Sequence, residues 1–124
     1  MKRIALCGMF TLALLSGCGP SISELRQNGV AEFQVGNADK AKDYFQQVLG
    51  RQPYDAATLY YMGRITHSEG AYEKAIWYYQ CSIDADPRNE APKRYLARAE
   101  EEAGQVGPAL RFIPEQPQVA VPKR

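Results

Sequence analysis

Polar and apolar residues follow two regimes along the chain. Ile4 to Leu15 is uncharged and mostly apolar, behind a short positive start at Lys2 and Arg3. Beyond Ser21, apolar residues recur at intervals of three and four, punctuated by glycine and proline. That periodicity predicts a succession of amphipathic helices. The spacing places them near residues 22–35, 38–50, 56–69, 72–84 and 90–103. Ser21 with Glu24 has capping-box spacing, and Asp55 and Asn89 stand where the third and fifth helices need N-caps. Gly36 and Gly70 suit turns with positive φ, and Pro53 and Pro87 stop the helices that precede them.

The pattern also repeats at long range. Leu25 and Leu59 lie 34 residues apart, as do Gly29 and Gly63, Ala41 and Ala75, Phe45 and Tyr79, and Pro53 and Pro87. Gly104 continues the series of Gly36 and Gly70, and Ala109 follows Ala75 at the same spacing. In the second copy the residues are Leu59, Met62, Gly63, Gly70, Tyr72, Ala75, Tyr79 and Pro87. In the first they are Leu25, Gly29, Gly36, Ala41, Phe45, Val48 and Pro53. This resembles the tetratricopeptide repeat. The resemblance implies an all-α fold, a tandem helix-turn-helix solenoid of two full repeats (about 22–55 and 56–89) with a C-terminal capping helix in the unit 90–104. Gly29 and Gly63 would let the first helix of each repeat approach the second where Ala41 and Ala75 face it. The capping helix is rich in charge (Lys93, Arg94, Arg98 and Glu100 to Glu102), which suits a face left in water. Four prolines between 108 and 124 predict an extended, mobile tail over 105–124. Two repeats and a cap approach the lower limit for this architecture, so marginal stability or support by a partner is expected.

The leading apolar run spans twelve residues, too few at ~1.5 Å each to cross a ~30 Å hydrocarbon core. Its layout is that of a secretory signal with small residues at its end. Leu15-Ser16-Gly17-Cys18 closes it and resembles the lipobox of bacterial lipoproteins. The resemblance implies a signal peptide over 1–17, cleavage before Cys18, and a diacylglyceryl group on the Cys18 sulfur. Two or more acyl chains would hold the protein stably on a membrane. Gly19 rather than Asp follows, which by the same resemblance favours the periplasmic face of the outer membrane in a Gram-negative host. Residues 18–21 form a tether that, at ~10 Å, would keep the body and its binding surface close to the bilayer.

Composition narrows the function further. The 124 residues suffice for one small domain, and a net charge of +1 argues against a nucleic-acid partner held by phosphate neutralisation. Three cysteines do not form a disulfide framework: Cys7 lies in the leader, Cys18 in the processing motif, and Cys81 stands alone. His67 is the single histidine; there is no metal-ligand spacing, phosphate loop or nucleophile elbow. The expectation is a chain that is not an enzyme, with no metal and no cofactor beyond the covalent lipid on Cys18.

In proteins with this repeat the first helix of each unit lines a concave surface that takes peptides or partner helices. Helical projection puts Arg26, Val30 and Phe33 there from the first unit, Tyr60, Arg64 and His67 from the second, and Arg94 and Arg98 from the cap. Arginines beside aromatic rings suit acidic or carboxylate groups and stacked rings; a solvated face with incidental arginines is the competing reading. Trp77 and Cys81 project four apart on the side of their helix away from its partner. They read as a second partner surface, as the seam of a weak homo-oligomer, or as a seat for the Pro-rich tail. The resulting expectation is a membrane-anchored adaptor or assembly factor of the cell envelope that binds another envelope protein or peptide. It resembles pilotin-type lipoproteins of pilus and secretion assembly. A permanent structural or regulatory subunit of an envelope complex is the alternative.

Overall fold

Ser21 starts the first helix by accepting the Glu24 N–H at 3.1 Å, satisfying one of the donors a helix N-terminus leaves open. The computed structural model describes residues 19–106. The leader, Cys18 and the Pro-rich tail lie outside the described residues. Five helices follow: α1 (Ile22–Gln34), α2 (Ala38–Arg51), α3 (Ala56–Ser68), α4 (Tyr72–Ala85) and α5 (Glu90–Val106). Among the described residues there is no strand. Asp55 caps α3 by accepting the Thr58 N–H at 2.9 Å, and the Asn89 carboxamide oxygen accepts the Ala91 N–H at the start of α5.

The fold is an all-α tandem helical-repeat solenoid. α1 packs on α2, α3 on α4, and α5 on α4. The hydrogen bonds that close α1 recur at the end of α3. Asn37 N–H donates to Glu32 C=O at 2.8 Å, and Ala71 N–H donates to Thr66 C=O at 3.0 Å. Between them Gly36 (φ 85°) and Gly70 (φ 76°) take the left-handed conformation that a side chain would strain.

What sets the spacing of each hairpin differs from the sequence expectation. Gly29 and Gly63 are overlaid by the rings of Phe45 and Tyr79, not simply faced by Ala41 and Ala75. A Cβ at Gly29 would lie 2.5 Å from a Phe45 ring carbon, and one at Gly63 2.6 Å from the Tyr79 ring. Both rings are fully buried. A cluster of Ala41, Phe45, Leu49, Leu59, Met62, Ile65 and Tyr78 joins the two hairpins, and a smaller one of Ala75, Tyr79 and Ala99 holds α5. Thr66, buried in this core, donates its hydroxyl to the carbonyls of Met62 and Gly63.

Antiparallel hairpins put the helix ends on two edges. On one, the Arg51 guanidinium donates to the Pro20 carbonyl, Arg26 pairs with Asp55, and Ser82 donates to the Ala56 carbonyl. On the other lie the Gly36 and Gly70 turns and the Lys42–Glu69 ion pair between α2 and α3. The cap helix runs to Val106, beyond the expected end at 103 and unit boundary at 104. Gly104 therefore makes no turn; it lies within α5, with nothing within 4 Å of its Cβ position.

These glycines give opposite expectations for one substitution. Gly63→Ala should destabilise by about 1–3 kcal/mol, because the buried Tyr79 ring has nowhere to move. Gly104→Ala should stabilise by about 0.5–1 kcal/mol by lowering the entropy lost on helix formation. Urea unfolding followed by helical circular dichroism reads both.

Candidate functional site

Arg64 lies at the centre of a cluster of aromatic rings on the face expected to bind a partner. Its guanidinium carbon lies 4.3 Å from the Tyr95 ring centroid, 5.4 Å from that of Phe33 and 5.8 Å from that of Tyr60. One nitrogen donates to the Tyr60 hydroxyl at 3.0 Å. α1 supplies Phe33, α3 supplies Tyr60 and Arg64, and α5 supplies Tyr95, so the arrangement exists only once the three helices are stacked. Burial works against the charge, but the Tyr60 hydroxyl and the neighbouring phenols offset that and hold the guanidinium pKa above its ordinary value. Among the described residues Arg64 has no carboxylate partner.

Beside it His67, Tyr79, Glu102 and Arg98 form one chain of hydrogen bonds. His67 Nε2 lies 2.9 Å from Glu102 Oε2, and Nδ1 lies 3.2 Å from the Tyr79 hydroxyl. An ionised carboxylate only accepts, so Nε2 carries the proton; on a neutral ring Nδ1 then accepts from Tyr79. Arg98 donates to the other Glu102 oxygen at 2.8 Å. Hydrogen bonds from Arg98 and then His67 hold the Glu102 carboxyl below its ordinary range. Burial pushes the Tyr79 phenol well above its ordinary range, so it stays a neutral donor.

An open depression of about 360 Å³ collects Phe33, Arg64, His67 and Arg98 with Tyr72, Tyr95 and Glu102. A neighbouring hollow of about 260 Å³ is lined by Arg94, Tyr95 and Arg98. Tyr60 supports the depression through Arg64, and Val30 packs against the core. Arg26 is not brought to it: its guanidinium is bound by both Asp55 oxygens. Tyr95, Tyr72 and Glu102 were not assigned to the groove from the sequence, where Tyr72 stood only as a repeat position and Glu102 only as part of a solvated face. For Tyr95 a signal existed, since it lies one residue from Arg94 on a helix already assigned to the concave side. Glu102 stands four residues after Arg98, the ordinary spacing of a helical ion pair.

The depression lies at the C-terminal ends of α1 and α3, the edge opposite Pro20. The short tether alone would keep the binding surface near the residue-18 end, but the helices carry the groove away from it. Trp77 and Cys81 are half-buried and pack against the cluster around Phe45, with Trp77 edge-on to Tyr78 at 5.0 Å. Burial raises the Cys81 thiol, which lowers its thiolate fraction. Among the described residues no three His, Cys, Asp or Glu side chains gather as a metal site, and no helix is long and apolar enough to cross a membrane.

No protein-family model matches the sequence. The chain is similar to the small glutamine-rich tetratricopeptide repeat-containing protein 2 of Mycosarcoma maydis, at 33% identity over 76 residues. That stretch is 60% of this chain and 22% of the relative, so the chain spans under a quarter of that protein's length. The likeness and the packed hairpins fit repeats of the tetratricopeptide type.

Two carboxylates make the body acid-sensitive. Burial alone would raise the Asp55 pKa, but hydrogen bonds from Thr58 and the Arg26 guanidinium outweigh it and leave it below the ordinary 3.8. Glu102 is likewise below its ordinary 4.5. A depressed folded-state pKa means the unfolded chain binds more protons. The stabilisation is therefore complete above the ordinary values and lost as pH falls through the lower folded ones. Asp55→Asn keeps a capping side chain but loses the ion pair, so it should cost up to about 1 kcal/mol at pH 7. The gap to the parent should narrow by pH 3, as read by thermal melts across that range.

Proposed function

We propose that this chain is a protein–protein interaction module anchored to a membrane of the bacterial envelope by a lipid on Cys18. The Arg64 groove takes an extended segment of an envelope partner, and the module acts as an adaptor or assembly factor of pilotin-like type. The observation that carries the binding reading is the state of Arg64. It is set over three aromatic rings, one donor is spent on Tyr60, and no carboxylate neutralises it among the described residues. A guanidinium with one donor engaged has further donors for a planar acceptor, which suits a carboxylate or a backbone carbonyl of a bound segment. The rings beside it supply rigid apolar area. Support for anchoring is the Leu15-Ser16-Gly17-Cys18 motif behind an apolar run.

Two substitutions separate the parts of this reading. Arg64→Glu should weaken partner capture by crosslinking in intact cells at least tenfold, since a charge-assisted hydrogen bond contributes about 1.5–3 kcal/mol. Arg26→Glu should instead lower the melting temperature through the loss of Asp55 pairing. Capture that survives Arg64→Glu would remove the groove as the binding site. Cys18→Ala should move the protein out of the membrane fraction without changing its melting; an unchanged fractionation would refute the anchor.

A further inference from the structure

We infer that the edge carrying Pro20, Tyr54 and Arg88 lies against phospholipid headgroups, so that the helices stand away from the bilayer and the Arg64 groove opens into the aqueous phase. The inference rests on the reading of Cys18 as the lipidated residue and adds an orientation to it.

The chain does not leave the body on a free tether. The Arg51 guanidinium donates to the Pro20 carbonyl at 2.7 Å and reaches 3.5 Å from the Cβ position of Gly19. Pro20 is thereby fixed to the end of α2. Cys18 is two peptide units away, no more than about 8 Å between α-carbons. A diacylglyceryl group on its sulfur must enter the membrane beside this edge, because no longer path is available.

The rest of the edge follows from the antiparallel hairpins. The α2–α3 connection, pinned by Arg26–Asp55, and the α4–α5 connection through Arg88 lie on the Pro20 side. Tyr54, in the first of these, is an aromatic left 44% exposed. A tyrosine with an apolar ring and a polar tip suits the headgroup layer. The groove lies at the other end of the helices. His67 stands eleven residues beyond the first residue of α3, roughly 16 Å further along its axis at ~1.5 Å per residue. The partner therefore approaches from the aqueous side, as a soluble domain or a segment projecting from the membrane, and is not a span embedded in the bilayer.

The test uses the full lipidated chain in phosphatidylcholine vesicles whose acyl chains carry bromine just below the headgroups. Tyr54→Trp and Val35→Trp add a reporter to opposite edges, each read against the Trp77 emission of the parent. Gln52→Trp and Lys40→Trp repeat the contrast at other exposed positions, and circular dichroism checks that each remains helical. The expected result is quenching of the reporters at 54 and 52 several-fold stronger than at 35 and 40. Equal quenching, or stronger quenching at 35 and 40, in chains that float with the vesicles overturns the orientation and leaves the anchor standing. Failure to float overturns the anchor, and the orientation with it.

Discussion

Tyr79 ties the core of the second repeat to the chemistry of its surface. Its ring lies against Gly63, where no Cβ could fit, and this contact sets how closely α3 and α4 approach. The ring also stacks on Tyr95 of α5 at 6.0 Å, and the hydroxyl meets His67. One side chain therefore fixes the hairpin, seats the cap helix and orients the histidine of the groove. Phe45 occupies the same place on Gly29 but has no hydroxyl; its ring stacks on Tyr61 at 5.6 Å, and the first repeat contributes packing without a polar network.

Charge in the groove is organised by subtraction. Arg26 is consumed by the α3 cap, where it joins the first repeat to the second. Glu102 takes up Arg98 and His67 together. Arg64 is left with its charge balanced by ring faces and one phenol. Such a guanidinium loses little conformational freedom when it meets an acceptor, because packing has already chosen its rotamer.

The two hydrophobic clusters differ in size, and that difference distributes stability unevenly. The larger spans both hairpins, whereas α5 is seated by Ala75, Tyr79 and Ala99 with help from Ile76, Tyr95 and Leu96. In its C-terminal half the buried Ala99 and the Glu102–His67 contact hold it to the rest. The element that supplies Tyr95, Arg98 and Glu102 to the groove is thus held by the smaller share of buried surface. Regions of this kind open at lower free energy than the core, and a bound segment spanning α1, α3 and α5 would tighten them.

The repeat of 34, the helix limits to within three residues, the caps at Ser21, Asp55 and Asn89, and the turns at Gly36 and Gly70 were all legible from sequence. Each depends on local backbone chemistry or on a period that a single chain displays. Phe33, Arg64, His67 and Arg98 could be assigned to one face for the same reason. What lay beyond reach was which partners these side chains would choose. Arg26 found Asp55, 29 residues away, and His67 found Glu102, 35 residues away. Trp77 packs half-buried beside the cluster around Phe45, a placement that the periodicity of its own helix does not specify. The position of the groove at the far end of the helices from Pro20 is likewise a product of the antiparallel fold. Periodicity reports the side of a helix a residue occupies; only packing decides what stands opposite and at which end it meets solvent.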